Sequence, residues 1–155
     1  MTHIRLVTQF QYLGATVCYH NFERTTTLAR IKASEKTGQQ LHRWLHSTWG
    51  LNGQQKYKIW KQCVFTTLRY SLMAIGFTHQ TATMIDVACL KQLRRIFREP
   101  AHLTRTTHQE FLSNHNLTDP LLQLVAFCQD AQVRDVSRRH QLRPTDVLLR
   151  APMMN

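Results

Sequence analysis

Lys91, Arg94, Arg95 and Arg98 fall at i, i+3, i+4 and i+7 of one helix-patterned stretch, a spacing that sets four positive charges in a single stripe opposite the apolar face. Such a stripe suits the phosphates of a nucleic-acid backbone. It would neutralise them and release their counterions, giving an affinity that depends on salt and not on base sequence. Lys32, Lys36 and Arg43 align on an earlier segment, and Lys58 and Arg69 on the next. Only Glu35 and Glu99 lie near these clusters to neutralise them. A solvated helix face is the bland alternative for any one stripe taken singly.

Other residue types capable of chemistry are less well arranged. His42-Arg43-Trp44-Leu45-His46 sets two imidazoles one helical turn apart, which can chelate a metal. In zinc proteases the residue after the first His is the Glu general base, and here it is Arg43, which cannot accept a proton. Two neutral imidazoles bonded to solvent or backbone are expected instead. His102, His108 and His115 are too far apart in sequence for a zinc pattern, and capping or packing roles suit them better. No two Asp residues are adjacent, so the paired carboxylates that hold metal ions in phosphoryl transfer are missing. No catalytic residue, metal or cofactor is expected.

The elements that must position the basic residues follow from composition and periodicity. The chain has 155 residues, 43% of them hydrophobic, enough for one sizeable core. Twenty Lys and Arg against nine Asp and Glu give a net charge of +11, the signature of a polyanionic partner. No apolar run is long enough for a membrane span, because Val64 to Phe77 is broken by Thr66, Thr67, Arg69, Tyr70 and Ser71. The N-terminus lacks a signal-peptide pattern. Cys18, Cys63, Cys89 and Cys128 form no CxxC pair, so an intracellular location, cytoplasmic or nuclear, with reduced thiols is expected.

Ile4 to Val7 and Tyr12 to Tyr19 read as short strands separated by Thr8-Gln-Phe-Gln. From Asn21, a potential cap, to His46 the pattern is that of a long, weakly amphipathic helix with Leu28, Ile31, Leu41 and Leu45 on related faces. Ser47 to Gly53 is a turn. Gln54 to Ile75 is the clearest helix, with Tyr57, Trp60, Val64, Leu68, Leu72 and Ile75 three and four apart. Thr81 to Arg98 buries Ile85, Cys89, Leu93 and Ile96 and stops before Pro100. Thr107-His-Gln-Glu110 predicts a capping box for a short helix carrying Phe111 and Leu112. Thr118-Asp119-Pro120 starts a last helix through about Arg139, with Leu121, Leu124, Val125, Cys128 and Ala131 inward, and Gln141 to Asn155 is a loose tail. The fold class expected is mostly α: a short N-terminal β-hairpin followed by a bundle of about five helices.

Phe10-Gln-Tyr12-Leu13-Gly14-Ala-Thr-Val17, the helix with Ala29, Ile31 and Ala33 leading to Trp44-Leu45, Lys58-Ile-Trp60-Lys-Gln-Cys63-Val64, Leu93-Arg-Arg-Ile96 and His102-Leu-Thr104-Arg-Thr-Thr-His108 occur in this order. Together they resemble the end of the reverse transcriptase domain of non-LTR (LINE-type) retrotransposons, over about two thirds of the chain. The resemblance implies a palm-end hairpin over residues 1–20, a thumb-like helical bundle over 21–99, post-thumb helices over 100–140 and a tail over 141–155. It implies that Tyr12, Leu13 and Gly14 belong to a primer grip, and that the helices carrying Lys32, Lys36, Arg43, Lys58 and Arg69 hold an RNA or RNA/DNA duplex as a thumb. The family's aromatic-x-Asp-Asp motif is absent, so the chain is expected to bind and not to polymerise, with a palm encoded upstream as a partner. Two other readings stand beside it: a basic protein from a decayed element, loosely folded and without selected activity, and a helical module that docks a protein through exposed Trp44, Trp49 and Phe77.

Overall fold

The chain reverses at Leu13-Gly14, where both residues take positive φ, 46° and 83°. That is the requirement of the two-residue turn whose twist matches the strands it joins. In the computed structural model, which describes residues 8–48, 50–70, 72–76 and 78–140, the turn connects β1 (Gln9–Tyr12) to β2 (Ala15–Cys18) as an antiparallel pair, Phe10 opposite Val17 and Tyr12 opposite Ala15. The segment expected to link two strands is therefore mostly the first strand itself, and Ile4 to Val7 lie outside the described residues. Gly14 meets two constraints at once. It supplies the positive φ, and a Cβ there would sit 2.6 Å from Tyr70 Cε1.

An isolated two-stranded hairpin is marginal in water, and this one is tied to the helix that follows. Thr26, fully buried, accepts a hydrogen bond from the Thr16 backbone N–H (3.1 Å) and donates one to the Thr16 carbonyl (3.3 Å). Thr26 belongs to α1 (Phe22–Gln40), which a kink at Leu41 separates from the single turn α2 (His42–Leu45). Asn21 precedes α1 in left-handed geometry and makes no side-chain cap. The inward side of α1 departs from the apolar pattern: Thr27 and Ser34 are buried and Ile31 packs on the core, whereas Leu28 is 40% exposed. Thr26 and Ser34 can fill this face because their hydroxyls find partners, in Thr16 and in Gln92 and the Ile31 carbonyl, whereas the buried Thr27 hydroxyl has none among the described residues; a hydrophobicity pattern misses all three.

The stretch expected to be one α-helix from Gln54 to Ile75 is broken twice. After α3 (Gly53–Ile59), capped reciprocally by Asn52 and Gln55, comes a π-helical segment, Trp60–Phe65, and then α4 (Thr66–Arg69). The wide turn shifts the residues beyond it out of the 3.6-residue phase. Thr66 and Thr67, the first residues of α4, donate their hydroxyls back to the Cys63 carbonyl within it at 3.0 and 2.8 Å. Tyr70, at ψ 132°, then ends the helix, and α5 (Leu72–Ile75) is a separate turn.

The central helix α6 (His79–Phe97) starts on a reciprocal cap between Thr78 and Thr81 and ends at Arg98, whose φ is 59°. It buries Ile85, Cys89, Leu93 and Ile96 as expected. A short turn, α7 (Ala101–Thr104), leads to α8 (His108–Asn114), where Thr107 and Glu110 form the predicted capping box. Asp119 accepts from the Leu121 and Leu122 N–H groups to begin α9 (Pro120–His140). Leu124 is fully buried there, and Leu121, Val125, Cys128 and Ala131 are half-buried. The chain is thus mostly α with an N-terminal hairpin; its last fifteen residues, read as a tail, lie outside the described part.

One core joins these helices, centred on Trp60, Leu68, Ile85, Leu93 and Phe111. A chain of hydrogen bonds crosses it. Trp60 Nε1–H donates to Gln92 Oε1 (2.9 Å), Gln92 Nε2 to Ser34 Oγ (3.1 Å), and Ser34 Oγ to the Ile31 carbonyl (2.8 Å). Replacing Gln92 with Leu strands the indole N–H and removes the donor to Ser34. It is expected to cost about 1–3 kcal/mol, read as a lower urea midpoint with an unchanged m-value; a loss under ~0.5 kcal/mol would show that the network is dispensable.

Candidate nucleic-acid interface

The predicted basic residues separate into two groups. Lys32, Lys36, Arg43, Lys58, Lys91, Arg95 and Arg98 are exposed. Among the described residues the one contact of a basic side chain with a carboxylate is His115 Nε2 to Glu99 Oε1, at 3.0 Å, so none of these seven is neutralised by a carboxylate contact. Arg94 and Arg69 behave differently.

Arg94 is only 5% exposed and does not belong to the surface stripe. The segment after α6 folds back over that flank of the helix. The guanidinium donates to the carbonyls of Glu99 (3.3 Å), Thr106 (2.8 Å) and Thr107 (3.1 Å), and to the hydroxyl of Thr106 (3.2 Å). Its Cζ lies 4.7 Å from the centre of the Phe111 ring. Arg94 is thus a fastener of the α6–α8 connection. Arg69 is half-buried, with Cζ 4.0 Å from the Phe127 ring centre, and joins α4 to α9. The shift of phase through the π-helical segment accounts for its separation from exposed Lys58.

Lys91 and Arg95 border two depressions. Between α1 and α6 lies a cleft of about 380 Å³, floored by Leu45, Trp60, Val64 and Ile96 and bounded by Glu35, Gln39, His42, His46, Lys91 and Arg95. On the other side, against α7, is a more apolar groove of about 720 Å³ that includes Val87, Leu90 and Leu103, with Arg98 and His102 also on its border. Lys91, Arg95 and Arg98 therefore form a basic ridge with a depression on each side. Arg98 also donates to the His46 carbonyl at 3.0 Å, tying the end of α6 to α2. Arg43 borders a third hollow with Trp44, Ser47 and Leu51.

Other predicted residues are not gathered at this ridge. Lys32, Lys36 and Lys58 are exposed but do not form the walls of the cleft. The turn at Tyr12, Leu13 and Gly14 sits on Tyr70, whose ring carries Arg30 at 5.3 Å. Arg30 is eight residues before Gly38, which lines the cleft, so the turn and the cleft are spaced by about 12 Å of helical rise along α1. Tyr12 and Leu13 are 63% and 72% exposed at its tip.

The two imidazoles dismissed as a metal pair belong to the cleft. The His42 and His46 rings lie 4.6 Å apart, centre to centre, and among the described residues no group of three or more His, Cys, Asp or Glu is placed to hold a metal. His46 titrates below its ordinary 6.5, chiefly because burial disfavours its charged form and then because His42, Arg95 and Lys56 repel it; a hydrogen bond to the Arg95 backbone opposes them. Lys56, whose ammonium donates to the Ser47 carbonyl (2.6 Å), was not singled out by sequence, nor were Gln39 and Gln92. Their signal is three-dimensional: the kink at Leu41 swings α2 towards α6. Of the residues considered for protein docking, Trp44 is 58% exposed, and Trp49 and Phe77 lie outside the described residues.

Two adjacent arginines of α6 thus have opposite roles, and substitution separates them. Arg94→Gln is expected to destabilise the fold by about 2–4 kcal/mol, through lost bonds to a charged donor and buried carbonyls left unpaired. Arg95→Gln should stay within ~0.5 kcal/mol of the parent. Equal urea midpoints for the two variants would refute the assignment. The His46 shift also has a definite sign. Its depressed folded value means that the unfolded chain takes up the proton first, so its contribution is fully present above pH 6.5 and is lost as pH falls from there through the folded value. The urea midpoint is expected to drop between pH 7.5 and 5.5, and to drop less in His46→Gln.

Comparison of the chain with protein-family models, with curated proteins and with solved structures gives no match.

Proposed function

We propose that the chain binds the sugar–phosphate backbone of an RNA or RNA/DNA duplex, as the thumb-like, non-catalytic part of an RNA-directed DNA polymerase of the LINE type. The observation that carries this reading is that seven of the predicted Lys and Arg side chains are exposed and, among the described residues, without a carboxylate contact, three of them on the ridge of α6. A surface that holds such charges apart from acidic partners repels itself, and a polyanion relieves the repulsion. The ridge consists of point charges and flexible side chains, which suits phosphate contact and not base reading.

The alternatives are weighed by the same structure. A remnant without selected activity has no reason to keep a reciprocal cap at Thr78, a hydrogen-bonded chain through the core and a buried, five-bonded Arg94. These features favour a cooperatively folded protein. In the polymerase reading the Tyr12-Leu13-Gly14 turn meets the primer strand, and the catalytic carboxylates belong to a palm encoded upstream. The chain on its own then binds without catalysing.

Fluorescence titration of an RNA/DNA hybrid against salt tests this directly. Lys91→Gln, Arg95→Gln and Arg98→Gln combined are expected to flatten the slope of log Kobs on log[salt] by about 2–3. Hybrids of different base sequence should give the same affinity. An unchanged slope in a variant that unfolds at the parent urea concentration would exclude the ridge from binding.

A further inference from the structure

We infer that the cleft between α1 and α6 is a binding site for a single phosphate group, held by Lys91 and Arg95 of α6 together with His42 and His46 of α2. This goes beyond duplex binding: it shares two side chains with the ridge but needs no duplex.

Four groups that are or can become cationic bound one concave space of about 380 Å³, and Glu35 is the only carboxylate among its lining residues. Lys91 and Arg95 make no side-chain hydrogen bond or ion pair among the described residues. The floor is apolar, formed by Leu45, Trp60, Val64 and Ile96, so the field of these charges is poorly screened from below. The volume exceeds that of a bare oxyanion and falls within the range of small-molecule sites, so the phosphate arrives attached to a larger group. Gln39 and Gln92 line the same space. One Gln92 amide hydrogen is used on Ser34, which leaves its second free to donate to a phosphate oxygen.

Gly38 supplies an independent sign that the space is kept open. It lies inside α1, where glycine is a poor helix former. A Cβ at this position would meet nothing within 4 Å, so packing does not require the glycine. Its lack of a side chain does keep the cleft wide.

Occupation by a phosphate changes the electrostatics of His46. The groups facing this imidazole are His42 on its own turn, Arg95 on α6 and Lys56 on α3, all cationic or able to become so, while Arg98 is bonded to its carbonyl and Glu35 lies across the cleft on α1. An anion placed among them reverses the sign of the local field and favours the imidazolium.

The test is an NMR titration of the His Cε1–H signals of the full chain, with ionic strength held constant by chloride. Sulfate, a tetrahedral dianion that does not titrate in this range, is expected to raise the His46 midpoint by about one pH unit. Gly38→Leu keeps every charge and puts its bulk into the open space; it is expected to weaken sulfate binding at least tenfold while the protein stays folded. His42→Gln with His46→Gln is expected to do the same at pH 6. Adenosine 5′-monophosphate and dimethyl phosphate separate the sources: binding of the first alone means a free or terminal phosphomonoester, and equal binding of both means a strand's backbone diester. Either result upholds the site. Sulfate acting no more strongly than chloride, or binding undiminished in folded Gly38→Leu, overturns it. Neither failure touches the salt slope of duplex binding, which reads the ridge separately.

Discussion

The hydrogen-bonded chain from Trp60 through Gln92 to Ser34 is the constraint on which the remaining geometry depends. Burying an indole N–H and a primary amide without partners would cost several kcal/mol in all. Each has its partner only if the π-helical segment, α6 and α1 hold one azimuth and one height relative to one another. Apolar contacts alone tolerate sliding and repacking, whereas two directional bonds in series between the three elements, the second anchored on α1 by the Ser34 bond to the Ile31 carbonyl, do not. Because Ser34 and Gln92 are spatial neighbours of Glu35 and Lys91, the same chain fixes the separation of the two sides of the cleft. The wide turn at Trp60–Phe65 makes sense here as well: a π-helical turn re-aims the side chains that follow, and Trp60 stacks on Phe65 with ring centres 5.4 Å apart where the helix changes phase.

A second consequence concerns charge. Arg94, one residue from Arg95, is spent on holding the α6–α8 connection, and Arg69 on joining α4 to α9. Guanidinium suits both duties because its fork of donors satisfies several carbonyls and its flat face lies on aromatic rings. The interface is therefore smaller than the sequence suggests, yet better placed. The remaining basic groups of α6 form a ridge between two depressions, and the fold rather than the spacing of charges decides which positive residues face solvent.

Local signals in the sequence translated well into structure. The Thr107–Glu110 box, Asp119 before Pro120 and the inward face of α6 all follow from interactions within about four residues, so a linear reading contains them, whereas the strand pattern put the hairpin's link at Thr8 to Gln11 and the turn lies at Leu13-Gly14. Features that depend on a distant partner were hidden. Leu28 is outward and Thr26 and Ser34 inward because hydroxyls on α1 meet Thr16 and Gln92 elsewhere in the chain, which no periodicity of apolar residues encodes. The break at Tyr70 serves contact with the hairpin turn at Gly14, fifty-six residues earlier. For the candidate site the outcome is similarly divided: exposure of Lys32, Lys36, Arg43, Lys58, Lys91, Arg95 and Arg98 agrees with the charge pattern, while the burial of Arg94 arises from the turn of the chain at Arg98 and the place of His42 and His46 in a cleft from the kink at Leu41.

The separation of structural from unneutralised charge explains why the cleft, and not only the ridge, is an electrostatic feature. Lys91, Arg95 and Lys56 reach one neighbourhood from two different helices, where Glu35 is the one lining carboxylate and pairs with none of them, and burial together with this repulsion favours neutral His46. A fold under selection for stability alone would bring a carboxylate into contact with these cations, and Glu35 makes no such contact. Glu99, near the end of the same helix, is instead directed to His115, on the side of the protein where Phe97 and Phe111 pack. That carboxylate is thus used away from the cleft, Glu35 stays unpaired at its edge among the described residues, and the positive charge there is the part of the electrostatic design that internal packing does not require.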